Sequence, residues 1–240
     1  MERTLKIGIR KYHGFLIDAD NTIFDYQRCE KEAFIETLLA TDFNGQLESA
    51  YLKFHFINQA LWKDFTDGTL PIASLNSQRF KILFKTLKLK ANIKATARLY
   101  LDNLSKKIYT FPRAIQTLEF LSRRANLCLI TNGLSYVQRN RIARAELEVF
   151  FKNIIIAEEI GCHKPQREFF KQAATALQLP LHNILCVGDT LETDIKGARE
   201  YGLDTCLFIA RQLPYAYTDF FPEYTISDFA DLKKFAPEIS

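Results

Sequence analysis

Short apolar runs alternate with longer amphipathic stretches along most of the chain. The first run, Phe15-Leu16-Ile17, ends in Asp18. Further runs of this kind lie later in the chain, at 126–131, 154–156, 184–187 and 205–208. Apolar runs of this length, separated by stretches of helical spacing, indicate buried strands of a parallel sheet with helices on both faces. The pattern therefore predicts an α/β fold with a doubly wound, Rossmann-like core, which a small strand and helix at residues 224–235 close.

The segment between the first two strands has a different pattern. Apolar residues recur at three- and four-residue intervals over about residues 30–62, and a second helical region covers roughly residues 74–107. No strand pattern interrupts them, so the segment is predicted to be an all-helical insert. We expect two domains: a core formed by residues 1–24 and 109–240, and a helical cap formed by residues 25–108.

The composition is that of an ordinary soluble globular protein. The 240 residues are 48% hydrophobic and 25% charged, which provides enough apolar material for a sizeable core. No apolar run is long enough to cross a bilayer, and the start of the chain leads into no signal-peptide core. We therefore expect a cytoplasmic protein without a membrane partner. The five cysteines are odd in number and widely spaced, which indicates reduced, buried thiols instead of disulfides or zinc ligands.

The formal net charge of +4 is unevenly distributed. Nine basic residues, beginning with Arg79 and ending with Lys107, face a single acid, Asp102, in that stretch. We interpret the stretch as the solvated face of amphipathic helices, and the alternative is a positive surface that attracts anionic substrates. No recognised nucleic-acid-binding motif accompanies the charge, so we expect no nucleic-acid partner.

Three predicted strands carry polar residues at their carboxyl ends. Asp18 follows the first strand, Thr131 ends the second, and Asp189 follows the run at 184–188. In a doubly wound sheet such ends lie side by side and form a ligand-binding crevice. Further polar residues follow the strands and could reach the same crevice, namely Asp20, Lys164 and Asp194. The plainer interpretation is that these acids cap helices, but the number of polar strand ends in this order favours the crevice.

These residue types predict metal-assisted phosphoryl chemistry. Several carboxylates without paired His or Cys ligands suit one hard cation per site, foremost Mg²⁺, with Mn²⁺ as an alternative. One carboxylate can attack phosphorus in line and form an aspartyl-phosphate. A second acid, Asp20, can protonate the leaving alkoxide and later deprotonate water. The phosphate oxygens would be held by Lys164, the Thr131 hydroxyl, and the backbone amides of Asn132 and Gly133.

The ordered motifs resemble those of the haloacid dehalogenase-like hydrolases over essentially the whole chain. The motifs are Asp18-Ala19-Asp20-Asn21-Thr22, Ile130-Thr131-Asn132-Gly133, Lys164-Pro165 and Gly188-Asp189-Thr190-Leu191-Glu192-Thr193-Asp194. The resemblance implies Asp18 as nucleophile, Asp20 as general acid and base, and a C1-type helical cap in the insert. It implies that Thr131 and Lys164 bind the phosphate. It also implies magnesium on Asp18, the Asp20 carbonyl and Asp189, with Asp194 as a nearby supporting acid.

Two parts of the chain resemble different phosphatases within this family. Residues 58–65, 67–68 and 78–80 of the insert are similar to the cap of the house-cleaning pyrimidine 5′-nucleotidases, whereas residues 187–195 resemble the N-acylneuraminate-9-phosphatases. From the cap we expect a 5′-nucleotidase for pyrimidine nucleoside monophosphates, in which Asn58 hydrogen-bonds the base and Trp62 stacks on it. A core position is the alternative for Trp62. The alternative activity is that of an N-acylneuraminate-9-phosphatase or another small-metabolite phosphatase.

Other activities of the same scaffold fit the residues less well. A 2-haloacid dehalogenase does not need the leaving-group proton that Asp20 can supply, and a phosphomutase would want a smaller, differently patterned cap. A non-catalytic binding protein would not need an intact set of acids. We therefore expect a small phosphorylated metabolite as the partner, and a monomer or weak homodimer.

One position departs from the family pattern. Arg113 follows Pro112 where the family commonly has glycine. The position lies in the predicted hinge between core and cap. We expect this departure to affect movement of the cap, not the chemistry.

Overall fold

A computed structural model describes residues 9–210 and 221–238. Its centre is a six-stranded, all-parallel sheet with the strand order β3-β2-β1-β4-β5-β6. The strands are β1 (Gly14–Asp18), β2 (Asn126–Thr131), β3 (Asn153–Ile156), β4 (Ile184–Gly188), β5 (Asp204–Phe208) and β6 (Tyr224–Ile226). The predicted doubly wound α/β core is thus confirmed, including the small closing strand.

The register of the sheet brings the polar strand ends to one edge. β1 lies between β2 and β4, so that Asp18 is opposite Ile130 on one side, and Ile17 is opposite Val187 on the other. Because all the strands run in the same direction, Asp18, Thr131 and the residue after β4 emerge together at the carboxyl edge of the sheet.

The insert between β1 and β2 contains four helices. They are α1 (Tyr26–Leu39), α2 (Leu47–Thr66), α3 (Ile72–Leu87) and α4 (Ile93–Leu104). Their inward faces form a separate apolar cluster in which the rings of Phe34 and Phe54 stack at 4.4 Å. The all-helical insert is confirmed, but each of the two predicted helical regions is divided in two. The apolar spacing did not show the breaks, because the helices on either side of each break bury residues in the same cluster.

The basic stretch of the insert is not wholly a solvated face. Arg79 on α3 is only 1% exposed, so our interpretation was wrong for this residue. Lys81, Lys85, Lys90, Lys94 and Arg98 are exposed, as that interpretation requires.

The core helices cover both faces of the sheet. They are α5 (Ala114–Ser122), α6 (Ser135–Arg144), α7 (Ala157–Ile160), α8 (Arg167–Leu177) and α9 (Gly197–Tyr201). A π-helical segment, Leu191–Lys196, runs into α9, and short 3₁₀ helices lie at Leu147–Phe150, Leu181–Asn183 and Phe229–Phe235. Phe15 and Ile17 pack with α5 on one face, whereas Leu16 packs with α8 on the other, as the alternation of side chains along a strand requires. All five cysteines are free thiols, and all except Cys162 are buried. Within the described ranges, no helix has the length and hydrophobicity to span a membrane.

The chain crosses between core and insert at two adjacent segments. The amide of Asp25 donates to the carbonyl of Tyr109, and the amide of Phe111 donates to the carbonyl of Ile23, each at 2.9 Å. We propose that the domain boundaries lie at these crossings, near residues 24/25 and 108/109. Residues 1–8, 211–220 and 239–240 of the proposed core lie outside the described residues.

Arg113 follows the second crossing and has a left-handed backbone conformation, with φ of 64°. Glycine adopts this conformation without steric cost, whereas a residue with a side chain, such as Arg113, adopts it less readily. In this chain the Arg113 side chain forms an ion pair with Asp228.

Candidate active site

Asp18 is a buried carboxylate at the end of β1, on the carboxyl edge of the sheet. It is only 5% exposed, and its Oδ1 accepts a hydrogen bond from Lys164 Nζ at 2.5 Å. The same ammonium donates to Asp194 Oδ1 at 2.6 Å. The second oxygen of Asp18, Oδ2, is buried and has no hydrogen-bond partner. Asp18 therefore keeps one oxygen available for a ligand or for attack.

The loop after β2 positions Lys164. The Asn132 side chain donates to the Lys164 carbonyl and accepts from the Lys164 amide, both at 2.9 Å. The Thr131 hydroxyl accepts the Gly133 amide at 3.0 Å, which closes a tight turn beside Asp18. The second and third motifs are thus one hydrogen-bonded unit.

Burial and crowding control the charges at this site. Burial raises the pKa of Asp18 to about 7, although the Lys164 ammonium acts in the opposite direction. Burial also raises the pKa of Asp189 well above its usual value, with contributions from Asp18 and Asp194. Although burial disfavours the Lys164 ammonium, the carboxylates of Asp18 and Asp194 raise its pKa. One ammonium cannot neutralise three carboxylates, so the site favours an additional cation.

The geometry of the acids fits such a cation. Oxygens of Asp18, Asp189 and Asp194 lie within 4.8 Å of one another, which is close enough for the three carboxylates to share one ion. Asp194 is already held by Lys164 and by the amide of Thr190 at 3.1 Å. A side chain at Gly188 would come within 2.4 Å of Asp194 Cγ, so glycine leaves the space that Asp194 occupies. An all-carboxylate donor set suits Mg²⁺.

Asp20 has different partners from Asp18. Its Oδ2 accepts from Gln138 Nε2 at 2.5 Å, and its Oδ1 forms an ion pair with Arg141. Arg141 is fully buried, donates to the carbonyl of Lys107 at 3.0 Å, and lies over the Phe24 ring at 4.1 Å. The acid therefore contacts α6, and through Arg141 it is linked to the end of the insert.

Sequence reasoning missed Gln138 and Arg141. They belong to none of the four motifs, and they stand three residues apart among the apolar positions of an otherwise polar helix. Their spacing, which places both on the buried face beside Val137 and Ile142, was the available signal.

Two predicted substrate contacts lie in the insert. Asn58 is 2% exposed, and its Nδ2 donates to Glu30 Oε1 at 2.5 Å. Trp62 is half-buried and packs edge-on against Phe65 at 5.7 Å. The Phe65 ring contacts His163 at 4.5 Å, so the end of α2 lies over the loop that carries Lys164.

The predicted residues therefore fall into two groups. Four of them converge on one point at the sheet edge, namely Asp18, Lys164, Asp189 and Asp194. Thr131, Asn132 and Gly133 line the adjoining turn, and Asp20 lies beside it on the α6 side. Asn58 and Trp62 belong to the insert instead.

A family model described as haloacid dehalogenase-like hydrolase matches residues 12–202. The chain belongs to this family. The predicted family and its hydrolase class are thereby confirmed. The matched span includes all four motifs of the sheet edge and the whole insert, so the match covers the site as well as the fold.

Relatives of known name cover nearly the full chain. The HAD-hydrolase YfnB of Bacillus subtilis is 30% identical over 226 residues, which are 93% of this chain and 95% of YfnB. A crystal structure of YfnB bound to magnesium superposes with a TM-score of 0.86 at 28% identity, covering 93% of this chain and 97% of that one. The pyrimidine 5′-nucleotidase YjjG of Escherichia coli is 28% identical over 93% of this chain and 97% of YjjG. The glyceraldehyde 3-phosphate phosphatase of Methanocaldococcus jannaschii is 26% identical over 91% of this chain and 94% of that enzyme.

Proposed function

We propose that this chain is a magnesium-dependent phosphatase that hydrolyses pyrimidine nucleoside monophosphates through an aspartyl-phosphate on Asp18. The observation that carries the proposal is the buried, unpartnered Oδ2 of Asp18 beside an ammonium and two further carboxylates. A nucleophile for phosphorus needs a free oxygen and a cationic environment for the transferred group. Asp18 has both.

The residues divide the work of hydrolysis in the proposed mechanism. Asp18 Oδ2 attacks phosphorus, the bond to the leaving oxygen breaks, and Asp20 gives that oxygen a proton. Asp20 then takes a proton from the water that attacks the phosphorus of the aspartyl-phosphate, and the bond between phosphorus and Asp18 breaks to release inorganic phosphate. Lys164, Thr131 and the amide of Gly133 bind the phosphoryl oxygens. Asp18 and Asp189 would hold Mg²⁺, with Asp194 beside it, and the ion would neutralise the charge of the phosphoryl group.

The leaving group is proposed to be a pyrimidine nucleoside. The resemblance to YjjG supports this choice, as does the position of Trp62 near the loop of Lys164. Trp62 is proposed to stack on the base, and Asn58 to hydrogen-bond with it. The second candidate is a phosphatase of small sugar phosphates, which the resemblance to the glyceraldehyde 3-phosphate phosphatase supports.

A phosphate-release assay with Mg²⁺ tests the proposal. We expect higher kcat/KM for UMP, dUMP or dTMP than for AMP, glyceraldehyde 3-phosphate or N-acylneuraminate 9-phosphate. Asp18→Asn should lower turnover by several orders of magnitude, because it removes the attacking oxygen. Asp42→Asn makes the same change at an exposed acid and should retain parental activity. A preference for either sugar phosphate would favour the second candidate, and activity of Asp18→Asn within tenfold of the parent would refute the nucleophile.

A further inference from the structure

Gln138 lies between Asp20 and the turn that follows β2. Its side chain is 1% exposed on α6, and its Nε2 donates to Asp20 Oδ2 at 2.5 Å. The same amide packs closely against Gly133, because a Cβ at position 133 would lie 2.9 Å from Gln138 Cδ and closer still to Nε2. Glycine at 133 therefore leaves the space that the Gln138 amide occupies, next to the backbone amide that is proposed to bind the phosphoryl group.

The Gln138 amide has an unused acceptor close to Asp20. An ionised carboxylate can only accept, so Nε2 faces Asp20 and Oε1 points elsewhere. Among the described residues, Oε1 is buried and has no hydrogen-bond donor. Because the two polar atoms of one amide are about 2.3 Å apart, Oε1 lies within about 4.8 Å of Asp20 Oδ2. A buried acceptor without a donor is costly, so the position requires an explanation.

The two steps of the proposed reaction bring different groups to Asp20. In the first step the leaving oxygen is an ester oxygen without a proton, so it can accept from Asp20 but cannot donate to Gln138. In the second step the attacking water carries two protons. In-line attack brings this water to the side of phosphorus that the leaving oxygen has vacated, beside Asp20. One proton goes to Asp20, and the other needs a second acceptor.

We propose that Gln138 is a positioning residue for the hydrolysis of the aspartyl-phosphate. Its Oε1 accepts a hydrogen bond from the attacking water, and its Nε2 holds Asp20, which takes the other proton. The water oxygen bonds to phosphorus, the bond between phosphorus and Asp18 breaks, and inorganic phosphate leaves. Two acceptors fix the water so that a lone pair faces phosphorus. The inference rests on the proposed function, because it concerns phosphorylated Asp18.

Kinetics on p-nitrophenyl phosphate with Mg²⁺ separate the two steps. Gln138→Leu should lower kcat by about 10- to 100-fold, because a poorly oriented water makes the second step rate-limiting. The value of kcat/KM should stay within about threefold of the parent, since p-nitrophenol leaves before water attacks and needs little protonation. A burst of p-nitrophenol, approaching about one per active site, should precede the steady state. Gln116→Leu, the same change at an exposed glutamine of α5, should keep the parental kcat.

Methanol as a competing nucleophile distinguishes the orientation of water from packing. Its single hydroxyl proton goes to Asp20, and its methyl group needs no acceptor. Methanol attacks phosphorus, the bond to Asp18 breaks, and methyl phosphate forms. In the same mixture of water and methanol, Gln138→Leu should therefore raise the ratio of methyl phosphate to inorganic phosphate by about tenfold over the parent. A side chain that only packs α6 against the turn would slow both nucleophiles equally.

Several results would overturn the assignment. They are an unchanged product ratio in Gln138→Leu, equal losses in kcat and kcat/KM, and the absence of a burst in that variant. Should Gln138→Leu fail to fold, Gln138→Asn withdraws the amide by one methylene and must still raise the ratio. If the parent forms and hydrolyses an aspartyl-phosphate and Gln138→Leu hydrolyses it equally fast, only this inference fails. If acid quenching of the working parent traps no aspartyl-phosphate, the proposed function itself fails.

Discussion

Two acids from the same strand end have distinct partners. Asp18 contacts the Lys164 ammonium, whereas Asp20 contacts Gln138 and Arg141 on α6. Environments that differ in this way allow two carboxylates to take separate roles, one as nucleophile and the other as acid and base. Arg141 is therefore expected to hold the Asp20 carboxylate in the orientation that reaches the leaving oxygen.

Replacement of Arg141 tests this positioning role. Arg141→Met should lower kcat for an alkyl phosphate such as a nucleotide by about 10- to 100-fold, because general acid catalysis contributes about that much or more. The loss on p-nitrophenyl phosphate should be smaller, since its leaving group needs little protonation. Arg144→Met, at an exposed arginine of the same helix, is the matched control. Equal losses on both esters would mean that Arg141 only stabilises the fold.

At the scale of secondary-structure elements, a hydrogen-bonded junction joins α1 to α2. Glu30 on α1 accepts from Tyr51 and contacts His55, both on α2. The hydrogen bond with Glu30 raises the pKa of His55, against the opposing effect of burial. Because the folded pKa is higher than the unfolded value, protonated His55 stabilises the junction.

The sign of this shift predicts how stability depends on pH. The contribution of His55 is fully present below its ordinary pKa of 6.5 and is lost as pH rises through the higher folded pKa. The difference in melting temperature between the parent and His55→Gln should therefore shrink as pH rises from about 6 into the alkaline range. Thermal unfolding across that range measures it. Glu30→Gln should remove the same pH dependence, and a constant difference would contradict the assignment.

The elements themselves could be predicted to very different degrees. The strands were predicted within a residue or two, because β1, β2, β4 and β5 are short apolar runs in buried positions. The position of the acids at the sheet edge could be predicted from the strands, because ligands bind at the carboxyl ends of parallel strands. The burial of Arg79 could not be predicted from the sequence, because the same helix also carries exposed lysines at positions 81 and 85. Which of these basic side chains is buried depends on how the helix packs against its neighbours.

At the scale of the whole molecule, the site concentrates negative charge that the fold alone does not neutralise. Asp18, Asp189 and Asp194 converge around a single lysine, and the first two have raised pKa values. Binding of a divalent cation to the folded state alone should therefore stabilise the protein by mass action.

Magnesium should raise the melting temperature of the chelated protein. Saturation at about 100 times Kd adds about 2.7 kcal/mol, which corresponds to a rise of about 5–10 °C for a chain of this size. EDTA should abolish activity, and Mg²⁺ should restore it. Potassium chloride at equal ionic strength is the control, and Asp189→Asn should show a reduced shift. Full activity in EDTA would rule out the metal-dependent mechanism.

The paired crossings between core and insert affect how such enzymes can diversify. Because the amide of Asp25 is bonded to the carbonyl of Tyr109, the two ends of the insert lie side by side. A segment with adjacent ends can be lengthened, shortened or exchanged without altering the strand register on either side. The insert can therefore change as one module over evolution while the four sheet-edge motifs stay in place. A changed insert could then contact a new leaving group while the residues that act on the phosphate stay the same.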